Sequence, residues 1–181
     1  MTTAREHYEP GAAEMATVEK TGEKWVLIVA KELRHSPETV WKALTDPTQL
    51  REWAPFDAKG ALDKPGTTVT FTWAGTPAAF ETTVKRAEAP RILEYTSPDM
   101  DLRWQLEPTA SGTRLTLSTN IDRNYISMGA AGWHIAFDVL DRYLDNAPIG
   151  RIAGPDAMAF AGWQRLNADY AKNFGIELPK W

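Results

Sequence analysis

From residue 67 to residue 119 the chain alternates apolar and polar side chains with a period of two, and this limits its folds more than any other feature. Val69, Phe71 and Trp73 alternate with Thr68, Thr70 and Thr72, and Phe80, Thr82 and Val84 alternate with Glu81, Thr83 and Lys85. Leu102, Trp104 and Leu106 are spaced by Arg103 and Gln105, and Leu115 and Leu117 by Arg114, Thr116 and Ser118. Ile92-Leu93-Glu94-Tyr95 is a fifth, less regular run. Successive side chains of a strand point to opposite faces, so each run has one apolar and one polar face. Turn residues separate the runs at Ala74-Gly75-Thr76-Pro77, Glu88-Ala89-Pro90, Ser97-Pro98-Asp99 and Ser111-Gly112-Thr113. Links this short exclude parallel crossovers, and a five-stranded antiparallel meander with one buried face is expected.

The flanking segments supply the other layer. Residues 24–33 hold Trp25 to Ala30 as an unbroken apolar run, which reads as a strand buried on both faces. Ala16–Lys20 is expected to pair with it across Thr21-Gly22. Ser36-Pro37-Glu38 combines a capping hydroxyl, a first-turn proline and a first-turn acid, and starts a helix with Val40, Trp41 and Leu44 inward. Asp46-Pro47-Thr48-Gln49 restarts a second short helix carrying Leu50 and Trp53. Further on, Trp133, Phe137, Leu140 and Leu144 make the apolar stripe of a long helix. His134, Asp138, Asp141, Arg142 and Asp145 share its other face, which is expected to meet water. Gly129-Ala130-Ala131-Gly132 reads as the turn leading into this helix, with amides available to an anion. A last helix starts at Pro155-Asp156, carries Ala159, Trp163, Leu166 and Tyr170, and ends at Gly175.

Strands in series bracketed by helices define an α+β chain, not a doubly wound one. The expected architecture is a curved antiparallel sheet wrapped around a long C-terminal helix, with two short helices after the first strand. Residues 15–181 are expected to form one domain including a helical extension over 155–174, with residues 1–14 a flexible tail.

Composition removes several function classes. The chain has 20 Lys and Arg against 24 Asp and Glu, a net charge of −4, which argues against a nucleic-acid partner. It has no cysteine, so disulfides, thiolate zinc sites and cysteine nucleophiles are excluded. No secretory h-region and no bilayer-spanning apolar run is present; a cytoplasmic protein without membrane insertion is expected. His7, His35 and His134 are far apart in sequence, and neither a metal nor a cofactor is expected. His134 with Asp138 could act as a base and its orienting partner, and Glu94 or Asp122 as a perturbed carboxylate. Each has a plainer reading: a surface i,i+4 pair for the first, the polar sheet face for Glu94. No Gly-x-Ser-x-Gly elbow supports acyl chemistry. The anomaly is tryptophan, eight residues against six Phe and five Tyr.

The order of elements, together with the phrase from Ser36-Pro37-Glu38-Thr39-Val40-Trp41 to Asp46-Pro47, Leu50 and Trp53, resembles the SRPBCC superfamily of START-like, helix-grip domains. Ala89-Pro90-Arg91-Ile92-Leu93, Gly112-Thr113-Arg114-Leu115-Thr116-Leu117 and Gly132-Trp133 extend the likeness over about residues 15–175, closest to the AHSA-like branch named for activators of heat-shock-protein ATPase. The resemblance implies a hydrophobic cavity between sheet and C-terminal helix. Combined with the stripes, it places Phe71, Trp73, Phe80, Thr82, Trp104, Leu117, Trp133, Phe137 and Leu140 on the cavity wall, with Thr119 as a further hydroxyl. The leading function is binding of a small hydrophobic ligand, aromatic or lipid-like. One alternative is a cyclase or hydrolase using the same cavity. Another is a co-chaperone-like or dimeric interaction module, a homodimer included, which predicts several tryptophans exposed in one patch.

Overall fold

In the computed structural model, which describes residues 3–97 and 100–178, the alternating runs join one antiparallel sheet of eight strands. The strands are β1 (Ala16–Thr21), β2 (Lys24–Leu33), β3 (Phe56–Lys59), β4 (Thr68–Trp73), β5 (Ala79–Glu88), β6 (Ile92–Ser97), β7 (Met100–Pro108) and β8 (Thr113–Asn120). Their spatial order is β1-β2-β8-β7-β6-β5-β4-β3, so the expected meander runs on into β2. Register puts Phe71 opposite Phe80, Leu93 opposite Trp104, and Trp104 opposite Leu117, aligning the apolar faces. The Ser97-Pro98-Asp99 turn lies largely, and Trp181 wholly, outside the described residues.

β3 was not expected. Phe56 and Ala58 are buried and alternate with Asp57 and Lys59, but four residues give too short a period to stand out beside the preceding helices. β2 also differs from expectation: Leu27, Val29 and Leu33 are buried, whereas Val26 and Ile28 are only half-buried. The long helix packs on one sheet face only, so an unbroken β-branched run does not imply two buried faces.

Ser36 caps α1 (Pro37–Thr45) by accepting from the Thr39 amide at 3.3 Å, and Asp46 caps α2 (Pro47–Leu50) by accepting from the Thr48 amide at 2.9 Å. This geometry aims Trp53 inward, fully buried, with its indole N–H donating to the Ala43 carbonyl at 3.0 Å. The Trp53 ring stands edge-on to Trp104, with centroids 5.9 Å apart.

α3 (Ile126–Leu144) crosses the buried face of the sheet, with Trp133 and Phe137 packed on Trp104. It starts earlier than expected. A 3-10 turn at Arg123–Tyr125, capped by Asp122, runs straight into it, so Gly129-Ala130-Ala131-Gly132 is helix and not a turn. The amides of a helix interior are used by its own ladder, which removes the anion site.

The far face of α3 is covered too. α4 (Pro155–Met158) and α5 (Ala161–Phe174) follow, and α5 lies on α3 and reaches β1. The helix breaks at Ala159, which is exposed, and Ala157 is buried in its place. Gly175 ends α5 in the left-handed region at φ 67°, as expected.

His134, expected to face water, is only 2% exposed. Its Nδ1 lies 2.7 Å from the Tyr170 hydroxyl, which accepts from the Met15 amide at 3.1 Å. The Tyr170 proton therefore points to Nδ1, leaving the His134 Nε2–H toward Asp138 Oδ2 at 3.6 Å. Asp138 also accepts from the Tyr8 hydroxyl at 2.5 Å and pairs with Lys31 at 3.3 Å. Residues 3–14, expected as a tail, are held here by buried Tyr8 and by Arg165, which donates to the carbonyls of Pro10 and Gly11. Asp141 and Arg142 are half-buried, and Asp145 is exposed.

Two outcomes follow from this packing. Trp53→Phe removes the donor to Ala43 and leaves space against Trp104, and is expected to cost about 2–4 kcal/mol in urea unfolding. Burial holds the His134 imidazole below its usual value, outweighing the attraction of Asp138. An unfolded imidazole titrates near about 6.5, so below that pH the unfolded chain takes up a proton that the folded chain resists. Stability is expected to fall as pH drops through roughly 6.5 and to level once the folded value is passed, and His134→Gln is expected to flatten that slope.

Candidate functional site

A cavity of about 500 Å³ opens where β4 ends, β7 begins and β8 ends, against the first turns of α3. That volume is typical of small-molecule sites. The sheet side carries Trp73, Met100 and Thr119. α3 contributes Met128, Gly129, Gly132 and Trp133, and the chain from Ile152 through α4 to Trp163 of α5 closes the third side.

Two glycines three residues apart on α3 border it, and Gly132 leaves room for it. A Cβ at Gly132 would meet only Trp163 Nε1, at 4.0 Å, and one at Gly129 would press on Ile121 Cδ1 at 2.7 Å. Each glycine inside a helix costs about 1 kcal/mol relative to alanine, so the pair marks a place where close packing at Gly129 and free space at Gly132 outweigh helix stability.

The third side is anchored by backbone contact. Gly154 has φ 61°, and a Cβ there would lie 2.3 Å from the Ala74 carbonyl oxygen, so only glycine lets the turn after β4 approach α4 this closely. Arg151 pairs with Asp57 of β3 at 2.6 Å, and Arg5 donates to the Arg151 carbonyl at 2.9 Å. At the rim stand Tyr125, 56% exposed, and Met158, 46% exposed, two of the three large apolar side chains exposed among the described residues.

Of the nine side chains placed on the wall from sequence, Trp73 and Trp133 border this cavity, and so does Thr119. The others do not border it. Phe71 is stacked on Phe56 with centroids 4.3 Å apart, and Phe80 stands edge-on to Phe71. Trp104 donates its indole N–H to the Tyr95 hydroxyl at 2.9 Å and stacks on Phe137. Thr82 donates to the Thr96 carbonyl at 2.8 Å, and Leu117 and Leu140 are fully buried. The centre of the grip is packed with rings, and the free volume sits at its end. Gly129, Gly132, Met128, Met158 and Trp163 were missed as wall residues. The Gly-x-x-Gly spacing was the available signal, obscured by reading the segment as a turn.

The titratable candidates are elsewhere. His134 is buried between α3 and α5, away from the cavity wall. Glu94 is on the outer sheet face, 3.2 Å from Arg103 and 4.0 Å from Arg86, and Arg103 points outward as expected. Asp122 borders the cavity mouth, exposed, and its carboxylate accepts from the Asn124 amide at 2.8 Å.

Among the described residues one trio, His35, Asp141 and Asp145, has potential metal-ligand atoms within 4.8 Å of one another. Contacts within the fold account for it: His35 Nε2 is hydrogen-bonded to Asp145 at 2.7 Å, and the Lys31 ammonium lies 3.7 Å from Asp141. No described tryptophan is exposed, and half-buried Trp25 lies under Lys20 and Arg123. Among the described residues no helix is long and apolar enough to cross a membrane.

The fold recurs in solved proteins. CalU16 from Micromonospora echinospora is 22% identical, with a TM-score of 0.63 over 88% of this chain and 92% of that one. A conserved protein of unknown function from Enterococcus faecalis is 18% identical, with a TM-score of 0.68 over 91% of this chain and 94% of that one. A protein from Rhodobacter sphaeroides is 21% identical, with a TM-score of 0.60 over 72% of this chain and 98% of that one. A search of curated proteins finds no match. The sequence profile described as "Activator of Hsp90 ATPase homolog 1-like protein" matches residues 34–145. That match spans more than half of the chain, which therefore belongs to the Activator of Hsp90 ATPase homolog 1-like family of the SRPBCC superfamily.

Proposed function

We propose that this protein binds a small, largely apolar ligand in the cavity at the end of the grip. The observation that carries the reading is the wall itself, about 500 Å³ bounded by the indoles of Trp73, Trp133 and Trp163 and the thioethers of Met100, Met128 and Met158. Burial of apolar surface at roughly 25 cal/mol per Å² is the driving force such a wall offers. Gly132 supports the reading, because it keeps a helix side chain out of the space. So does the family, whose members typically bind hydrophobic ligands.

Binding is favoured over catalysis by the wall's chemistry. Its ionisable side chains are Asp122 and Tyr125, both exposed at the mouth, with no histidine or lysine among the described lining residues to serve as a base. The interaction-module reading asked for an exposed tryptophan patch, and the described tryptophans are turned inward instead.

Titration with the neutral fluorophore N-phenyl-1-naphthylamine tests the proposal. A saturable enhancement with one site per chain is expected. Gly132→Leu, which fills the cavity from α3, is expected to weaken it at least about ten-fold while the thermal midpoint stays level or rises, since leucine favours the helix over glycine. Enhancement that never saturates, or that survives Gly132→Leu unchanged, would refute the reading. Native mass spectrometry of protein purified from its source is expected to show a retained small molecule.

A further inference from the structure

The hydrogen-bonding capacity left unused on the cavity wall points to the ligand's chemistry. The inference rests on the binding reading above and goes further, to a ligand class. Trp53 and Trp104, in the packed centre, donate their indole N–H to Ala43 and Tyr95. The indoles that border the cavity, those of Trp73, Trp133 and Trp163, donate to no partner among the described residues. Yet no buried polar side-chain atom among those residues is left without a partner. The three nitrogens therefore open onto accessible space, and the cavity is the space their rings share. Trp163 shows the geometry directly: its Nε1 faces the bare Gly132, at 4.0 Å from where a Cβ would stand.

Several acceptors of the wall are already engaged. The Asn120 side-chain oxygen accepts from the Asp101 amide at 2.8 Å, and Asp122 from the Asn124 amide at 2.8 Å. Thr76 accepts from the Ala78 amide at 3.2 Å while its own hydroxyl donates to the Trp73 carbonyl at 3.3 Å. The indole donors stand on an aromatic and thioether surface, with no lysine or arginine among the described lining residues to favour an anion.

We propose that the cavity selects neutral, planar aromatic ligands bearing a carbonyl acceptor, aromatic ketones or quinones, which take hydrogen bonds from the indoles of Trp133 and Trp163. A hydrocarbon of the same shape fills the same volume but strips water from these N–H groups without replacing it, and that penalty is the source of the discrimination. The rings supply edge and face contacts, and the methionines fit the ligand outline.

The matched pair 9-fluorenone and fluorene, which differ by one carbonyl, provides the test. Affinities come from equilibrium dialysis, with N-phenyl-1-naphthylamine as reference. By apolar area alone fluorene binds at least as well. The proposal expects fluorenone to bind about ten-fold or more tightly, and its addition to shift indole N–H resonances downfield in a nitrogen–proton correlation spectrum. Trp163→Phe and Trp133→Phe are expected to lower fluorenone affinity several-fold while leaving fluorene affinity and the near-UV dichroism of the remaining tryptophans largely in place. Equal affinities, or losses of both ligands in parallel, overturn the donor proposal and leave the cavity reading standing. Binding of N-phenyl-1-naphthylamine without either tricycle also overturns it. Failure of all three probes sinks the cavity reading itself.

Discussion

The position of the cavity is decided by how completely the middle of the grip is filled. Trp53 enters from the end of the short helices and meets Trp104 edge-on, Trp104 stacks on Phe137, and Phe56, Phe71 and Tyr95 pack on one another, with neighbouring centroids between 4.3 and 6.4 Å. Interiors pack as densely as organic crystals, so rings this large leave no ligand-sized void among themselves. Two internal hydrogen bonds, Trp53 to Ala43 and Trp104 to Tyr95, satisfy the indoles there without help from a ligand. The cavity of about 500 Å³ lies where α3 changes from bulky residues to Gly129 and Gly132. Everything specific to the site follows from that displacement.

The same helix meets three different demands. One stripe, through Trp133 and Phe137, packs on the sheet; the glycine turn borders the cavity; and His134 with Asp138 receives α5 and the N-terminal segment. The third contact bears on the second. α5 holds Trp163 against the cavity, and the Tyr170–His134 hydrogen bond is a polar anchor of α5 on α3. Burial pushes the Tyr170 hydroxyl up to about 12, so it stays protonated at neutral pH and keeps its donor role. Stability of this anchor and completeness of the cavity wall are therefore linked.

Much of this was legible from the residues, and the remainder was hidden for identifiable reasons. Alternation in β4 to β8 and the Ser36-Pro37 and Asp46-Pro47 caps carry their own local physics, so sheet, short helices and long helix could be read directly. What failed was any inference that needed to know which surface another element would cover. His134 lies on a polar face, and nothing in its i,i+4 neighbours says that Tyr170, thirty-six residues on, will seal it. Val26 and Ile28 are as apolar as Leu27 and Val29, yet only the latter meet α3's side of the sheet. For the site, Trp73 and Trp133 border one cavity, whereas Trp104, whose stripe position matches theirs, does not. Stripe position fixes the face of a ring and not whether its N–H finds a protein partner.

That distinction sorts the seven described tryptophans by hydrogen-bonding state more sharply than by burial. Trp41, Trp53, Trp104, Trp133 and Trp163 are all under a tenth exposed, so burial alone treats them as one group. Trp53 and Trp104 donate within the fold; Trp133 and Trp163, with half-buried Trp73 at the same cavity, and Trp25 and Trp41 away from it, donate to no partner among the described residues. An indole is an expensive side chain to place where its N–H is unused, because phenylalanine would supply a ring without a donor to satisfy. Three such indoles converging on one cavity suit a site that meets its ligand with donors from its walls, and they give the tryptophan richness of the chain a single physical reason at that end of the grip.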